Sequence, residues 1–469
     1  MTQARLDSYS MARRAASELN AGEAVALGPG FPCLLPGETP VNNGVWFIAD
    51  SGAVRYHAAT GADADIAVDS GGGAAVILPG GAFTDVVDVA GMLRVGRVGT
   101  AILQPAQVSA QGDFVHWTTV ATPGLFAPGS AVDLASGARR VVAIMPHNRP
   151  DGAPNIVDNI KLPVDGVRCV SMIITDIGVL SVGEQGLELR EIAPGWTAEE
   201  VVALTGAPVT VSDELKEMTF GVPTLSPLDK VYTTGLDAVR DVPDGAVVNV
   251  DGFAGPGGMA HYLLTGLRDH GAKGLTMISN TAGIARVVNF GAPEGLVPID
   301  HSILVENNQI AKSIASYPVS PSASRPSAFE EAYQRGEATL EVVPQGTLAE
   351  RLRCGGAGVA AFYTATAAGT LLAEGKETRV IDGKEYVLEL GIMADFCIMR
   401  GHKADTLGNV VYKGTSRNFN PVMATAAKVT IVEVDEIVEP GSLEPEEIVT
   451  PGIFVDRIVK RPDDFSPYL

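Results

Sequence analysis

Apolar residues gather into short runs rather than alternating strictly with polar ones, as in Ala24-Val25-Ala26-Leu27, Val141-Val142-Ala143-Ile144, and, with one polar residue each, Ala246-Val247-Val248-Asn249-Val250 and Val429-Thr430-Ile431-Val432. Runs of four or five such residues suit strands covered on both faces, and the helical patterns between them supply the cover. The order predicts open α/β sheets with mainly parallel strands. The segment from Phe220 to Pro227 breaks the rhythm with one glycine and two prolines, and a new strand-and-helix pattern begins at Lys230. Two domains are expected, 1–221 and 230–469, with 222–229 as a linker.

Length supports that division, since 469 residues exceed what one hydrophobic core ordinarily fills. Charge removes some partners. With 55 acidic against 34 basic residues the net charge is -21, which repels nucleic acid and anionic lipid. The stretch Met1 to Asp7 has no apolar core of a signal peptide, and no apolar run reaches membrane-spanning length, so a cytoplasmic protein is expected. The four cysteines, Cys33, Cys169, Cys354 and Cys397, are far apart and read as reduced thiols. No His/Cys/Asp/Glu cluster has ligand spacing, so no metal is implied.

Longer motifs carry more information. The first half contains Met11-Ala12-Arg13-Arg14-Ala15-Ala16, Gly112-Asp113 with Trp117, Ala131-Val132-Asp133-Leu134, Ile174-Thr175-Asp176 and Leu204-Thr205-Gly206-Ala207-Pro208. The second contains Ser279-Asn280-Thr281-Ala282-Gly283, the run Pro344 to Arg351, Gly355-Gly356-Ala357-Gly358 before Phe362-Tyr363, Arg417 to Pro421, and Pro451 to Arg457. In that order the halves resemble the β and α subunits of family I CoA-transferases of the succinyl-CoA:3-oxoacid type. Fused relatives run α then β, so this order is swapped. The resemblance implies two open α/β domains packed pseudo-symmetrically, a CoA thioester as substrate, no tightly bound cofactor and a homodimer. It also implies a division of labour, with the β-like half supplying a nucleophile and the α-like half part of an oxyanion hole.

The family's nucleophile motif is Ser-Glu-Asn-Gly, and its glutamate passes through an acyl anhydride to a glutamyl-CoA thioester. Aligned by its Asn-Gly pair, the motif here is Val41-Asn42-Asn43-Gly44, and the Asn42 carboxamide cannot attack because its nitrogen lone pair is delocalised. Glu38, in Pro36-Gly37-Glu38-Thr39-Pro40, is the carboxylate of the shortened loop that could take over, against a reading as a solvated turn acid. The polarising groups are better matched. Gln345 stands where the family has its oxyanion-hole amide, and Gly129-Ser130-Ala131 matches a Gly-Gly-Ala turn whose backbone N–H donates to the thioester oxygen. Asn43, Gly44, Gly129, Ala131, Asn280 and Gly355, Gly356, Ala357 and Gly358 are the expected substrate-binding positions.

Other residues have two readings. His261, after the glycine-rich turn 251–258, is either a general acid or base or a helix-start histidine. Cys33 is a nucleophile or a small buried hydrophobe, and Trp46 and Phe47 shape a pocket or fill the core. His116 and His147 are expected to be structural. The lysines that precede the family's Gly-Gly-Ala turn are absent from Pro123 to Pro128, which leaves a carrier-protein thioester open beside CoA. The expected function is chemistry on a 3-oxoacyl thioester without a glutamyl-CoA intermediate: decarboxylation, C–C cleavage, isomerisation or cyclisation. The alternatives are a 3-oxoacid CoA-transferase using Glu38 or another acid, and an inactive binding scaffold.

Overall fold

The mainly apolar runs become central strands of two sheets. In the computed structural model, residues 4–41, 44–59, 67–116, 129–250, 258–288, 292–322 and 324–469 are described. The chain divides into two compact units, Met1–Leu228 and Asp229–Leu469.

In the first unit the parallel centre of the sheet runs, in spatial order, Trp46–Ile48, Ala24–Leu27, Thr100–Leu103, Arg140–Ile144 and Val170–Ile174. Antiparallel strands extend both edges, for instance Ala53–Ala58 beside Trp46–Ile48 and Gly178–Gly183 beside Val170–Ile174. Every residue of Ala24–Leu27 and Thr100–Leu103 is buried, as expected for strands covered on both faces. The helix Ser8–Ala16 supplies part of that cover. Asp7 caps it by accepting from the Ser10 N–H at 2.7 Å, and its apolar stripe of Met11, Ala12, Ala15 and Ala16 joins the core with Val25 and Leu27. Trp46 and Phe47 are buried strand residues, with Phe47 in the same core. The expected linker also belongs here: Val222 and Leu225 pack against this core, and the Ser226–Pro227 backbone lies over Gly44. Gly44 has φ +71°, and a Cβ there would sit 2.7 Å from the Ser226 carbonyl carbon. That close approach accounts for Gly44 without a substrate.

The second unit has an eight-stranded sheet in the order Val231–Tyr232, Arg457–Lys460, Ala427–Val434, Ala394–Arg400, Val247–Val250, Leu275–Thr281, Ile310–Tyr317 and Thr339–Val342. All of its neighbours pair in parallel. Alternate residues serve two cores. Met277 and Ala315 enter one, while Ile278 and Ile314 enter the other with Leu348 and Leu352 of the helix Gln345–Gly356. No helix among the described residues is long and apolar enough to cross a membrane.

Candidate functional site

In an open parallel sheet the carboxyl ends of the strands carry the chemistry, because loops there converge where the chain switches direction along the sheet. The first unit has its switch between Ala24–Leu27 and Thr100–Leu103: the chain goes first to Trp46–Ile48 on one side and returns on the other. The Gln104 side chain ties the two loops there, its Oε1 accepting from the Phe31 N–H at 2.7 Å.

Asp50 stands at this edge, just past the carboxyl end of Trp46–Ile48. Its Oδ2 accepts a 2.9 Å hydrogen bond from Ser130 Oγ, and its N–H donates to Ser70 Oγ at 3.2 Å. A tight turn fixes it, with the Gly52 N–H donating to the Ala49 oxygen at 3.0 Å. Gly52 has φ +97°, and a Cβ there would overlap the Thr84 carbonyl oxygen, so glycine is required. Ala49-Asp50-Ser51-Gly52 thus repeats the small, acidic, polar, glycine order of the nucleophile motif, eight residues after the stretch aligned by its letters. Asn42 and Asn43 lie outside the described residues. Gly44 is at the other edge, where its carbonyl accepts from the Gly22 N–H and the Trp46 N–H donates to the Glu23 oxygen, at the amino ends of the first two strands. The signal available in sequence was an acid, a polar residue and glycine directly after an apolar run.

Ser130 precedes the helix Ala131–Gly137 with φ −82° and ψ −7°, a conformation open to any residue, so replacing the family's glycine costs no backbone strain. Gly129 beside it has φ +51°. Glu38 is engaged elsewhere: Arg13 Nε and Nη2 both donate to its Oε2, at 2.9 and 2.6 Å. That fork holds the carboxylate against the first helix rather than leaving it as a free nucleophile. The Cys33 thiol donates to the Gly28 oxygen at 3.4 Å, and burial, with Asp69 and Asp50 nearby, pushes its pKa up to about 11. It is protonated at neutral pH and a poor nucleophile. The Tyr56 hydroxyl is buried without a partner, and burial raises its pKa well above the usual value, with Cys33, Asp69 and Asp50 adding in the same direction. His147 is buried between Thr175 Oγ1 and Thr205 Oγ1, at 3.1 and 2.9 Å, and burial lowers its pKa to about 4. His116 Nδ1 lies 3.2 Å from Asp165 Oδ2.

At the carboxyl edge of the second sheet, Gln345 opens the helix Gln345–Gly356 after Pro344, and Tyr317 donates its hydroxyl to Gln345 Oε1 at 3.3 Å. Asn280 and Ser316 are neighbours across the Leu275–Thr281 and Ile310–Tyr317 pair. Asn280 Oδ1, Ser316 Oγ and Thr347 Oγ1 are all buried without a hydrogen-bond partner among the described residues. Buried polar atoms left open near one sheet edge are what a ligand or ordered water satisfies.

Two expectations need correction in this unit. Gly355 to Gly358 lie at the far end of Gln345–Gly356, about 15 Å from Gln345 by helix rise. A Cβ on Gly355 would overlap the Ile392 carbonyl oxygen and one on Gly356 the Thr425 side chain, so packing explains both glycines. His261 is fully buried, and neither ring nitrogen has a partner among the described residues. Burial, reinforced by Arg400 and Arg461, lowers its pKa to about 3, so it is neutral and poorly suited to proton exchange near pH 7. The helix it begins is capped instead by Glu433, which accepts from the Tyr262 and Leu263 N–H groups at 2.8 and 2.9 Å; burial raises the Glu433 pKa to about 7 against the pull of Arg400. Among the described residues no group of His, Cys, Asp and Glu could hold a metal ion.

Both units are open α/β sheets with polar side chains at their carboxyl edges, and Asp50 adds an acid at the first. The sequence profile of the coenzyme A transferase family matches residues 9–204 and 233–461, and the chain belongs to that family. It is 45% identical over 232 residues to one subunit of a 3-oxoadipate CoA-transferase from Pseudomonas putida, covering 50% of this chain and 94% of the relative. It is 44% identical, also over 232 residues, to one subunit of a probable succinyl-CoA:3-ketoacid coenzyme A transferase from Bacillus subtilis, covering 50% of this chain and 90% of the relative. Among solved structures, a variant of the decarboxylase AibA/AibB matches at 22% identity with a TM-score of 0.41, covering 50% of this chain and 84% of that one.

Proposed function

We propose that this protein transfers CoA between an acyl-CoA and a 3-oxo acid, with Asp50 as the attacking carboxylate. The observation that carries the reading is the placement of Asp50 at the carboxyl end of Trp46–Ile48, bonded to Ser130 of the Gly129-Ser130-Ala131 turn. The names of the Pseudomonas and Bacillus relatives support a 3-oxo acid as acceptor. The reading displaces the expectation built on Asn42, which assumed that the nucleophilic acid was lost.

Asp50 attacks the thioester carbonyl and CoA leaves as the thiolate, giving an acyl-aspartyl anhydride. The thiolate then adds to the aspartyl carbonyl, releasing the donor acid and leaving an aspartyl-CoA thioester. The acceptor carboxylate reverses both steps, so no oxidant or net proton is required. Within the second unit by itself, the Gln345 amide and the buried Ser316 and Thr347 hydroxyls are groups that could donate to an oxygen.

A second reading has its own support. Aspartate is one methylene shorter than glutamate, and Ser130 already holds one of its oxygens, an arrangement suited to a general base that directs water at a 3-oxoacyl thioester. Incubation with acetoacetyl-CoA and succinate separates the two. Succinyl-CoA formation and a borohydride-trapped adduct mapped to Asp50 are expected for transfer, and Asp50→Asn should lower turnover at least about a thousandfold. Hydrolysis or cleavage with no trapped adduct selects the second reading. An adduct on another carboxylate, or near-normal turnover in Asp50→Asn, rejects both.

A further inference from the structure

A cavity of about 660 Å³ opens at the carboxyl edge of the first sheet, away from Asp50. Its walls come from the loops after Thr100–Leu103 and Arg140–Ile144, the farther of them three strand positions along the edge from Trp46–Ile48, or about 14 Å at the usual strand spacing. The volume falls within the range of sites for small organic molecules, and the position beside the switch in strand order is where parallel sheets bind ligands.

Its lining is amphiphilic. Pro105, Ala106, Pro146, Pro150 and Leu204 form the apolar part, and Arg5 and Arg149 bring two positive charges. Among the described residues no acidic side chain lines it. Asp176 accepts from Arg5 Nη1 at 2.9 Å and from the His147 N–H at 2.8 Å, and Asp151 is turned to the Ala153 N–H at 3.0 Å. Arg5 is further fixed by donation to Asn148 Oδ1 at 2.9 Å and by the Trp196 ring, 5.5 Å from its guanidinium carbon. Arg149 has no ion pair among the described residues, although its backbone is held in a closed turn with Ala153 and Gly152. Arg149 is exposed at the rim of this partly apolar cavity, and a guanidinium so placed on a protein of net charge -21 is suited to meet an anion.

We propose that this cavity binds a small carboxylic acid, its carboxylate on Arg149 with Arg5 in support and its hydrocarbon body against the proline-rich wall. The apolar lining favours such an acid over inorganic phosphate. The assignment does not depend on what Asp50 does.

Calorimetric titration of the full chain with hexanoate, hexanamide and inorganic phosphate tests it. Hexanoate should bind at least about tenfold more tightly than hexanamide, the difference expected for a charge-assisted pair. Arg149→Gln, checked for an unchanged melting temperature, should lose about the same factor for hexanoate and leave hexanamide unaffected. The proposal is overturned by equal affinity for acid and amide, by hexanoate binding that survives Arg149→Gln, by phosphate binding more tightly than hexanoate, or by no binding up to about 10 mM.

Discussion

Ser130 and Asp50 show how a replaced residue can change a site without disturbing its backbone. Where the resembled family has glycine, this chain has a hydroxyl that donates to Asp50 Oδ2 at 2.9 Å. A carboxylate turns with little resistance about its last bond, so an aspartate at a turn needs a partner to keep one oxygen facing outward. On the proposed reading of Asp50, Ser130 is a positioning residue. Ser130→Ala should lower kcat about tenfold and leave KM nearly unchanged, because alanine suits φ −82° and only the hydroxyl is removed. Ser130→Thr should restore most of the rate. An unchanged kcat in Ser130→Ala would show that the turn alone orients Asp50. Glu38→Gln gives the contrasting result: its carboxylate serves Arg13 at an exposed fork, so turnover should hold, with a stability loss of about 1 kcal/mol or less on chemical denaturation.

The helix Gln345–Gly356 has different tasks at its two ends. Its first turn presents Gln345 and Thr347 at the sheet edge, whereas its last turn lies against the Ile392 and Thr425 backbone. Gly356→Ala should consequently cost about 1–3 kcal/mol of stability through overpacking, with kcat/KM per folded molecule unchanged. A selective loss of substrate affinity would return this glycine to a binding role. The contrast marks what could be read from sequence. Ala24–Leu27 was legible because a strand buried on both faces must be apolar throughout. The reason for Gly355 and Gly356 was not, since their neighbours arrive from residues 392 and 425 and no local pattern records that approach. Asp50 was not singled out because matching letters favoured Asn42, whereas the proposal for Asp50 rests on its following the carboxyl end of Trp46–Ile48, a property of strand direction.

At the scale of the molecule, each unit has its own core, so a buried titratable group should influence mainly the unfolding of its own unit. His261 provides the clearest test because, among the described residues, neither ring nitrogen has a partner that a substitution would strand. Burial holds its folded pKa near 3, below the ordinary value of 6.5, so folding favours the neutral ring. Its contribution is fully present above the unfolded pKa and is lost as pH falls through 6.5 toward 3. At about 1.4 kcal/mol per pH unit, the loss amounts to about 2 kcal/mol at pH 5. His261→Leu removes that dependence while keeping a buried apolar side chain. In calorimetric scans, wild type and variant should differ little in acid sensitivity above pH 7, and at pH 5 the variant should gain about 2 kcal/mol relative to wild type. The gain should appear in the transition of Asp229–Leu469 and leave that of Met1–Leu228 unmoved. Parallel acid profiles for the two proteins would mean that His261 is protonated in the folded state and that its surroundings admit a charge.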